Sequence, residues 1–164
     1  MTIRRAKTSD ASRLNDLLYQ VQAVHAALRP DIFPSGGKKY TDAQVAALIL
    51  DDTRPIFVAA DDTDTVLGYA MCVHHITPPS AALLGYDTLY LDDLCVDETK
   101  RHGGVGRALF AHVCETAKAM GCQSVTLNVW NGNDDAAQFY RDRGMTVQRT
   151  TMEVRFDSTD GNKI

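Results

Sequence analysis

The 164-residue sequence contains no run of about 18 apolar residues that would make a membrane-crossing helix. Its first residues, MTIRRAKTSD, lack the apolar stretch of a secretory signal, so a soluble, cytoplasmic protein with no membrane partner is expected. The four cysteines, Cys72, Cys95, Cys114 and Cys122, show no CxxC spacing, and a chain of this length needs no disulfide framework, so reduced thiols are expected. The five histidines, His25, His74, His75, His102 and His112, form no HExxH motif and no Cys/His cluster, so no metal is expected. A surplus of basic residues is also missing. With 17 Lys and Arg against 21 Asp and Glu, the formal net charge of −4 argues against a nucleic-acid partner, which needs a basic face, and suits a cationic ligand. Neither a repeat nor a Pro, Gly or Ser-rich linker divides the chain. A sequence that is 45% hydrophobic then reads as a single domain over 1–164, with DSTDGNKI, 157–164, as a loose tail.

What is present is an alternation of short strands and helices. Ile3 to Ala6 reads as a first strand. Ser9 or Asp10 can cap a helix whose apolar residues Leu14, Leu17, Leu18, Val21, Val24 and Leu28 recur at three and four, ending near Arg29-Pro30. Thr41 caps a second helix through about Leu50, and Pro55 introduces the strand IFVAAD, which turns at DDTD into VLGYAMCVHHI as a hairpin. A proline-bearing loop leads to a strand over Leu89 to Val96. A helix from Val105, a strand over Ser124 to Trp130, a helix after Asn133 and a last strand in MTVQRTTMEVRF follow. This order predicts a three-layer α/β (α+β) sheet protein.

The most informative stretch is LYLDDLCVDETKRHGGVGRAL, in which a strand passes through a basic, glycine-rich turn directly into a helix. Gly103, Gly104 and Gly106 let the backbone bend tightly and bring several N–H groups against one anion. The unpaired N–H groups at the start of the helix add a positive pole, and Arg101 and Arg107 add forked donors. The turn therefore reads as a pyrophosphate cradle. It is no triphosphatase loop, because Arg107 and Ala108 follow Gly106 where Lys and Ser or Thr are required. It is no dinucleotide fingerprint either, because Leu109 stands where a third small residue is needed and the loop lies well past mid-chain.

The pattern Arg101-x-x-Gly104-x-Gly106 resembles the acetyl-coenzyme A signature of the GCN5-related N-acetyltransferases, the GNAT family. A second segment, LNVWNGNDDAAQFYRDRGM, is similar to that family's other motif at Asn133, Ala136, Phe139, Tyr140, Gly144 and Met145. The resemblance implies a mixed central sheet with helices on both faces, and two central strands that splay into a wedge. It implies that acetyl-CoA enters the wedge as cosubstrate. Main-chain groups of Leu94, Cys95 and Val96 would hold the pantetheine arm, and Arg101, His102, Gly103, Gly104, Val105, Gly106 and Arg107 the pyrophosphate, with Asn133 and Tyr140 on the second motif. By the same resemblance Tyr140 is the general acid to the departing thiolate, Phe139 is core, and terminal strands lead to a homodimer.

An amine must lose a proton before it attacks a thioester. On a regular strand Asp92 shares a face with Tyr90, Leu94 and Val96, while Asp93 turns away toward the helical layer, where a structural role suits it. Asp92 reads as the base acting through a water, as an anchor for a cation, or as a structural hydrogen-bond partner. Tyr90-Leu91-Asp92-Asp93 and Trp130-Asn131 resemble the polyamine and diamine branch of the family. His25 and Phe33, in HAALRPDIF, and Trp130 are candidates to line the acceptor pocket. His74 and His75 are alternative bases, and Cys95 an alternative nucleophile. The expected activity is acetyl transfer to a primary amine of a small molecule in a ternary complex. A non-catalytic acyl-CoA sensor, and an enzyme for amino acids, aminoglycosides or peptide N-termini, stay open.

Overall fold

A computed structural model describes residues 1–156; the expected loose tail at 157–164 lies outside the described residues. The chain divides into two compact units, Met1–Trp130 and a second from Asn131 onward.

The first unit is built on a five-stranded sheet, β1 (Thr2–Arg5), β2 (Ile56–Ala60), β3 (Val66–Thr77), β4 (Tyr86–Val96) and β5 (Ser124–Thr126), in spatial order β1-β2-β3-β4-β5. All neighbours are antiparallel except β4 and β5, which run parallel. Helices α1 (Ala11–Leu28) and α2 (Asp42–Ile49) cover one face, where Leu14, Leu17, Leu18 and Val45 pack with Ile56, Val58, Tyr69, Met71 and Cys95 in one core. The three α1 leucines are fully buried, each contributing about 1.5–3 kcal/mol. Helix α3 (Val105–Ala119) covers the other face, with His112 edge-on to Phe57 at 4.7 Å between ring centroids. Helices lie on both faces of a mixed sheet, and β4 and β5 stop pairing beyond Tyr90 and Thr126, as the family resemblance implies.

Local chemistry sets the joints. Thr41 and Gln44 form a reciprocal capping box, the Thr41 hydroxyl accepting from the Gln44 N–H at 3.2 Å and the Gln44 amide oxygen from the Thr41 N–H at 2.8 Å. Buried Asn15 donates to Asp42 at 2.5 Å, tying the start of α2 to α1. Gly68 of β3 lies so close to β4 that a Cβ there would stand 2.7 Å from the Cys95 carbonyl oxygen.

One expected strand is shorter than predicted and another is absent among the described residues. The strand predicted over Ser124 to Trp130 stops at Thr126, because β5 pairs only Ser124, Val125 and Thr126 with Thr88, Leu89 and Tyr90 before the two chains part. The strand predicted in MTVQRTTMEVRF does not form: Thr146 to Phe156 is exposed, Met145 is half-buried, and the segment pairs with no strand among the described residues. Its alternation is of a half-buried strand, yet Val147, Met152, Val154 and Phe156 stay open to solvent. The second unit contains α4 (Asp134–Arg141), closed by Gly144 at φ +84°. Phe139 of that helix is half-buried with Arg143 stacked over its ring at 3.5 Å, so the expectation of a core residue fails; no residue of α4 is buried.

Candidate active site

Strand β4 carries the site because it has a partner on only one edge over half its length. Past Tyr90 it pairs with β3 alone, Leu94 opposite Ala70, Cys95 opposite Tyr69 and Val96 opposite Gly68. The other edge of Leu91 to Val96 faces no strand among the described residues, which leaves main-chain groups there for a ligand.

The turn that follows has the geometry of an anion cradle. Asp97 accepts from the Thr99 N–H and hydroxyl and pairs with Arg13 of α1, and its carboxyl is held down at about 2, chiefly by the Arg13 guanidinium. That clamp fixes the end of β4 against α1. Arg101 turns back to donate through Nε to the Val96 carbonyl at 3.3 Å. His102 at φ +63° and Gly104 at φ +81° are left-handed, and α3 begins at Val105 as its sequence predicts. A Cβ at Gly104 would meet nothing within 4 Å, so the turn opens on free space. Gly103, Gly104 and Arg107 are exposed, Gly106 half-buried and Val105 buried beneath. Exposed N–H groups, a left-handed glycine over open space and two arginines fit a pyrophosphate.

The carboxylates of β4 do not divide between the two faces as regular alternation requires. Leu91 lies opposite Cys72 and Asp93 opposite Met71, which leaves Asp92 as the extra residue of a β-bulge. The bulge breaks the two-residue period, and both acids lie toward α2 and the loop before it. Asp92 lines a small cavity with Tyr40, Leu48, Ile56, Met71 and Cys72. Asp93 accepts from the Tyr69 hydroxyl at 3.0 Å on the α1 side of the sheet. The expected separation, with Asp92 alone turned to the cleft, is thereby corrected. Burial pushes the Asp93 carboxyl up to about 6 against the opposing pull of Lys39.

Lys39 was absent from the residues singled out in the sequence. Its ammonium stands 3.7 Å from Asp92 Oδ2, placed by the capped start of α2 two residues downstream. Its charge also reaches His25, whose pKa is lowered first by burial and then by Lys39. A lysine in a long loop carries no sequence signal; only the fold brings it to β4.

The three pocket-lining candidates come together. Phe33 packs against His25 at 5.1 Å and meets Trp130 edge-on at 5.5 Å, and Arg29 lies over the Trp130 ring at 5.4 Å. The alternatives fare differently. Cys95 is buried, its Sγ directed at the Leu17 carbonyl, and burial pushes its thiol up to about 12, which leaves no thiolate for covalent chemistry at neutral pH. His74 Nε2 is buried and stands 3.4 Å from Asp87 Oδ2 without a hydrogen bond, and His75 stacks on Tyr90. In the second unit Asn133 caps α4 by accepting from the Ala136 N–H at 3.4 Å, and Tyr140 is half-buried edge-on to Phe139 at 5.0 Å.

Residues 21–145 match the acetyltransferase (GNAT) family. Among solved structures, a mutant of the BH1408 protein from Bacillus halodurans is 32% identical, with a TM-score of 0.90 over 95% of this chain and 99% of that one. A ribosomal-protein-alanine N-acetyltransferase from Brucella melitensis shares the fold at 16% identity and a TM-score of 0.67, over 95% of this chain and all of that one, 100%. An aminoglycoside acetyltransferase from an uncultured soil metagenomic sample, in complex with sisomicin, shares it at 15% and 0.66, over 94% of each chain. No curated protein matches the sequence.

Proposed function

From the premise that the chain belongs to the GNAT acetyltransferase family, we propose that this N-acetyltransferase acetylates a primary amine of a small, cationic molecule, a polyamine or diamine being the most specific choice. The family's cosubstrate is acetyl-CoA, whose thioester is the acetyl source. Transfer is direct, in a ternary complex, since the Cys95 thiol is too basic to serve as a nucleophile.

One observation carries the choice of a cationic acceptor: the site already holds an ammonium group. Lys39 is placed 3.7 Å from Asp92, with Asp93 on the same side of the sheet. A free amine that reaches this position meets the same carboxylate, and the His25, Phe33 and Trp130 cluster offers an apolar wall to its carbon chain.

In this reading the 101–107 turn holds the pyrophosphate, and main-chain groups of Leu94, Cys95 and Val96 hold the pantetheine arm and polarise the acetyl carbonyl. Asp92 orients the acceptor ammonium and passes its proton to water. Tyr140, from α4, gives a proton to the sulfur, for which a phenol near pKa 10 is matched. We also propose that 1–164 form one domain; the family match from 21 to 145 crosses the division at Asn131. Self-association into a homodimer belongs to the same reading, supported by the exposed apolar residues between Met145 and Phe156.

The test is acetyl-CoA consumption, followed chromatographically, across polyamines, diamines, amino acids, aminoglycosides and peptides. Turnover that is fastest with di- and polyamines supports the proposal. Turnover confined to a peptide N-terminus or a neutral amino acid overturns the acceptor class, and binding of acetyl-CoA without turnover on any amine turns the reading to a sensor.

A further inference from the structure

The loop that carries Lys39 is tied down where it enters α2. The capping box of Thr41 and Gln44 fixes the backbone where the loop enters α2, and Asn15 binds Asp42 to buried α1. Lys39 stands two residues before the cap, with its ammonium over the Tyr40 ring, 5.4 Å from Nζ to the ring centroid. The other end of the contact is Asp92, the bulged residue on the part of β4 that lacks a second partner. Lys39 therefore presents a primary amine, tethered at short range, to the strand along which the thioester is proposed to lie. Its side chain is 39% exposed, so the amine retains water to which it can lose a proton.

We infer that Lys39 is a self-acetylation site: in the absence of a free acceptor, the enzyme transfers an acetyl group to its own Lys39 Nζ. This rests on the reading of the site given above and extends it to a substrate the chain itself supplies. The ammonium first loses one proton to water. The nitrogen then forms a bond to the acetyl carbonyl carbon, the carbon–sulfur bond breaks, and the second proton goes to the sulfur, giving Nε-acetyl-lysine and coenzyme A thiol. The product amide carries no charge, so Asp92 loses its cationic partner and is exposed to an incoming amine. Acetylation of Lys39 converts a self-occupied site to one free for a soluble acceptor.

The experiment is intact-mass and peptide mass spectrometry of the full chain incubated with acetyl-CoA alone. Expected is one acetyl group on Lys39, appearing at a rate independent of protein concentration and on the order of ten-fold or more faster than on the neighbouring Lys38. The label disappears in Lys39→Arg, slows in Gly104→Val, whose side chain enters the pyrophosphate turn, and falls when a turned-over amine is added as competitor. Equal labelling of Lys38 and Lys39, or labelling undiminished in Gly104→Val, identifies chemical acetylation by the thioester and overturns the inference. Acetyl-CoA-dependent turnover of a free amine by a protein that gains no acetyl group on Lys39 when incubated with acetyl-CoA alone overturns the inference alone. Failure of the folded protein to bind acetyl-CoA in calorimetry overturns the reading beneath it as well.

Discussion

The Tyr69 hydroxyl donates a 3.0 Å hydrogen bond to the Asp93 carboxylate on the face of the β3–β4 pair that packs against α1. Tyr69 is fully buried, and protein surrounds the Asp93 carboxyl although a part of the residue reaches solvent. Two consequences follow for this carboxyl. It ionises near 6 in the fold, above the ordinary value of 3.8, because burial outweighs the help of Lys39 and Tyr69.

A folded pKa raised above the unfolded one makes a contribution to stability that is fully present below about 3.8 and is lost as pH rises through about 6. Asp93→Asn keeps an oxygen to accept from Tyr69 and removes the charge. At pH 8 the variant should be more stable than the parent by on the order of 2 kcal/mol, and the advantage should vanish below pH 4. Thermal unfolding at both pH values checks this; a variant less stable at pH 8 shows that the ionised carboxylate is itself needed by Lys39.

The backbone of the 101–107 turn was legible and the bulge was not, for a physical reason. Glycines and arginines act where they stand: Gly104 takes its left-handed φ and Val105 starts α3 from local sequence alone. The face of Asp92 depends instead on how β4 registers with β3, which no local pattern records. The same distinction explains the last strand. Alternation in MTVQRTTMEVRF describes a side-chain pattern, whereas a strand also needs a partner edge, and 145–156 pairs with none among the described residues. His25, Phe33 and Trp130 were named separately from the sequence, and it is the fold that brings their rings together. Lys39 escaped because a loop lysine has no pattern, and its distance to Asp92 is set by the cap of α2.

Gly68 links the scaffold to the cradle. A Cβ there would lie 2.7 Å from the Cys95 carbonyl oxygen and 3.3 Å from Val105 Cγ1, so the end of β4 or the first turn of α3 must move. Gly68→Ala is expected to cost about 1–3 kcal/mol and to weaken acetyl-CoA binding together with stability. Thermal unfolding and calorimetric titration measure the two effects. A stable variant with parental affinity means that the strands yield without disturbing the cradle.

Tyr140 tests the second motif. Tyr140→Phe keeps the ring that packs edge-on to Phe139 at 5.0 Å and removes only the proton donor. If the hydroxyl supplies the proton to sulfur, kcat should fall by about 100-fold while the dissociation constant of acetyl-CoA stays within a factor of about two. Pre-steady-state measurement of the acetyl-transfer step is the decisive readout, because slow product release hides a loss in chemistry. Unchanged transfer removes Tyr140 as the acid and leaves the proton to water.

Asp92→Asn separates an anchor from a base. As an anchor, the carboxylate holds the acceptor ammonium by a charge-assisted contact that an amide cannot replace, so KM for a di- or polyamine should rise about ten-fold, equivalent to about 1.4 kcal/mol, with kcat little changed. A neutral acceptor should be affected far less, since it never made the ionic contact. As a base, the same variant instead lowers kcat for every acceptor and moves the pH profile upward, because the amine must then lose its proton unaided. Steady-state kinetics on one cationic and one neutral amine, each across pH 6 to 10 or about that span, divide these outcomes. The bulge favours the first. It sets Asp92 beside Lys39, where the carboxylate already does for a lysine ammonium what the anchor role asks of it for a soluble amine.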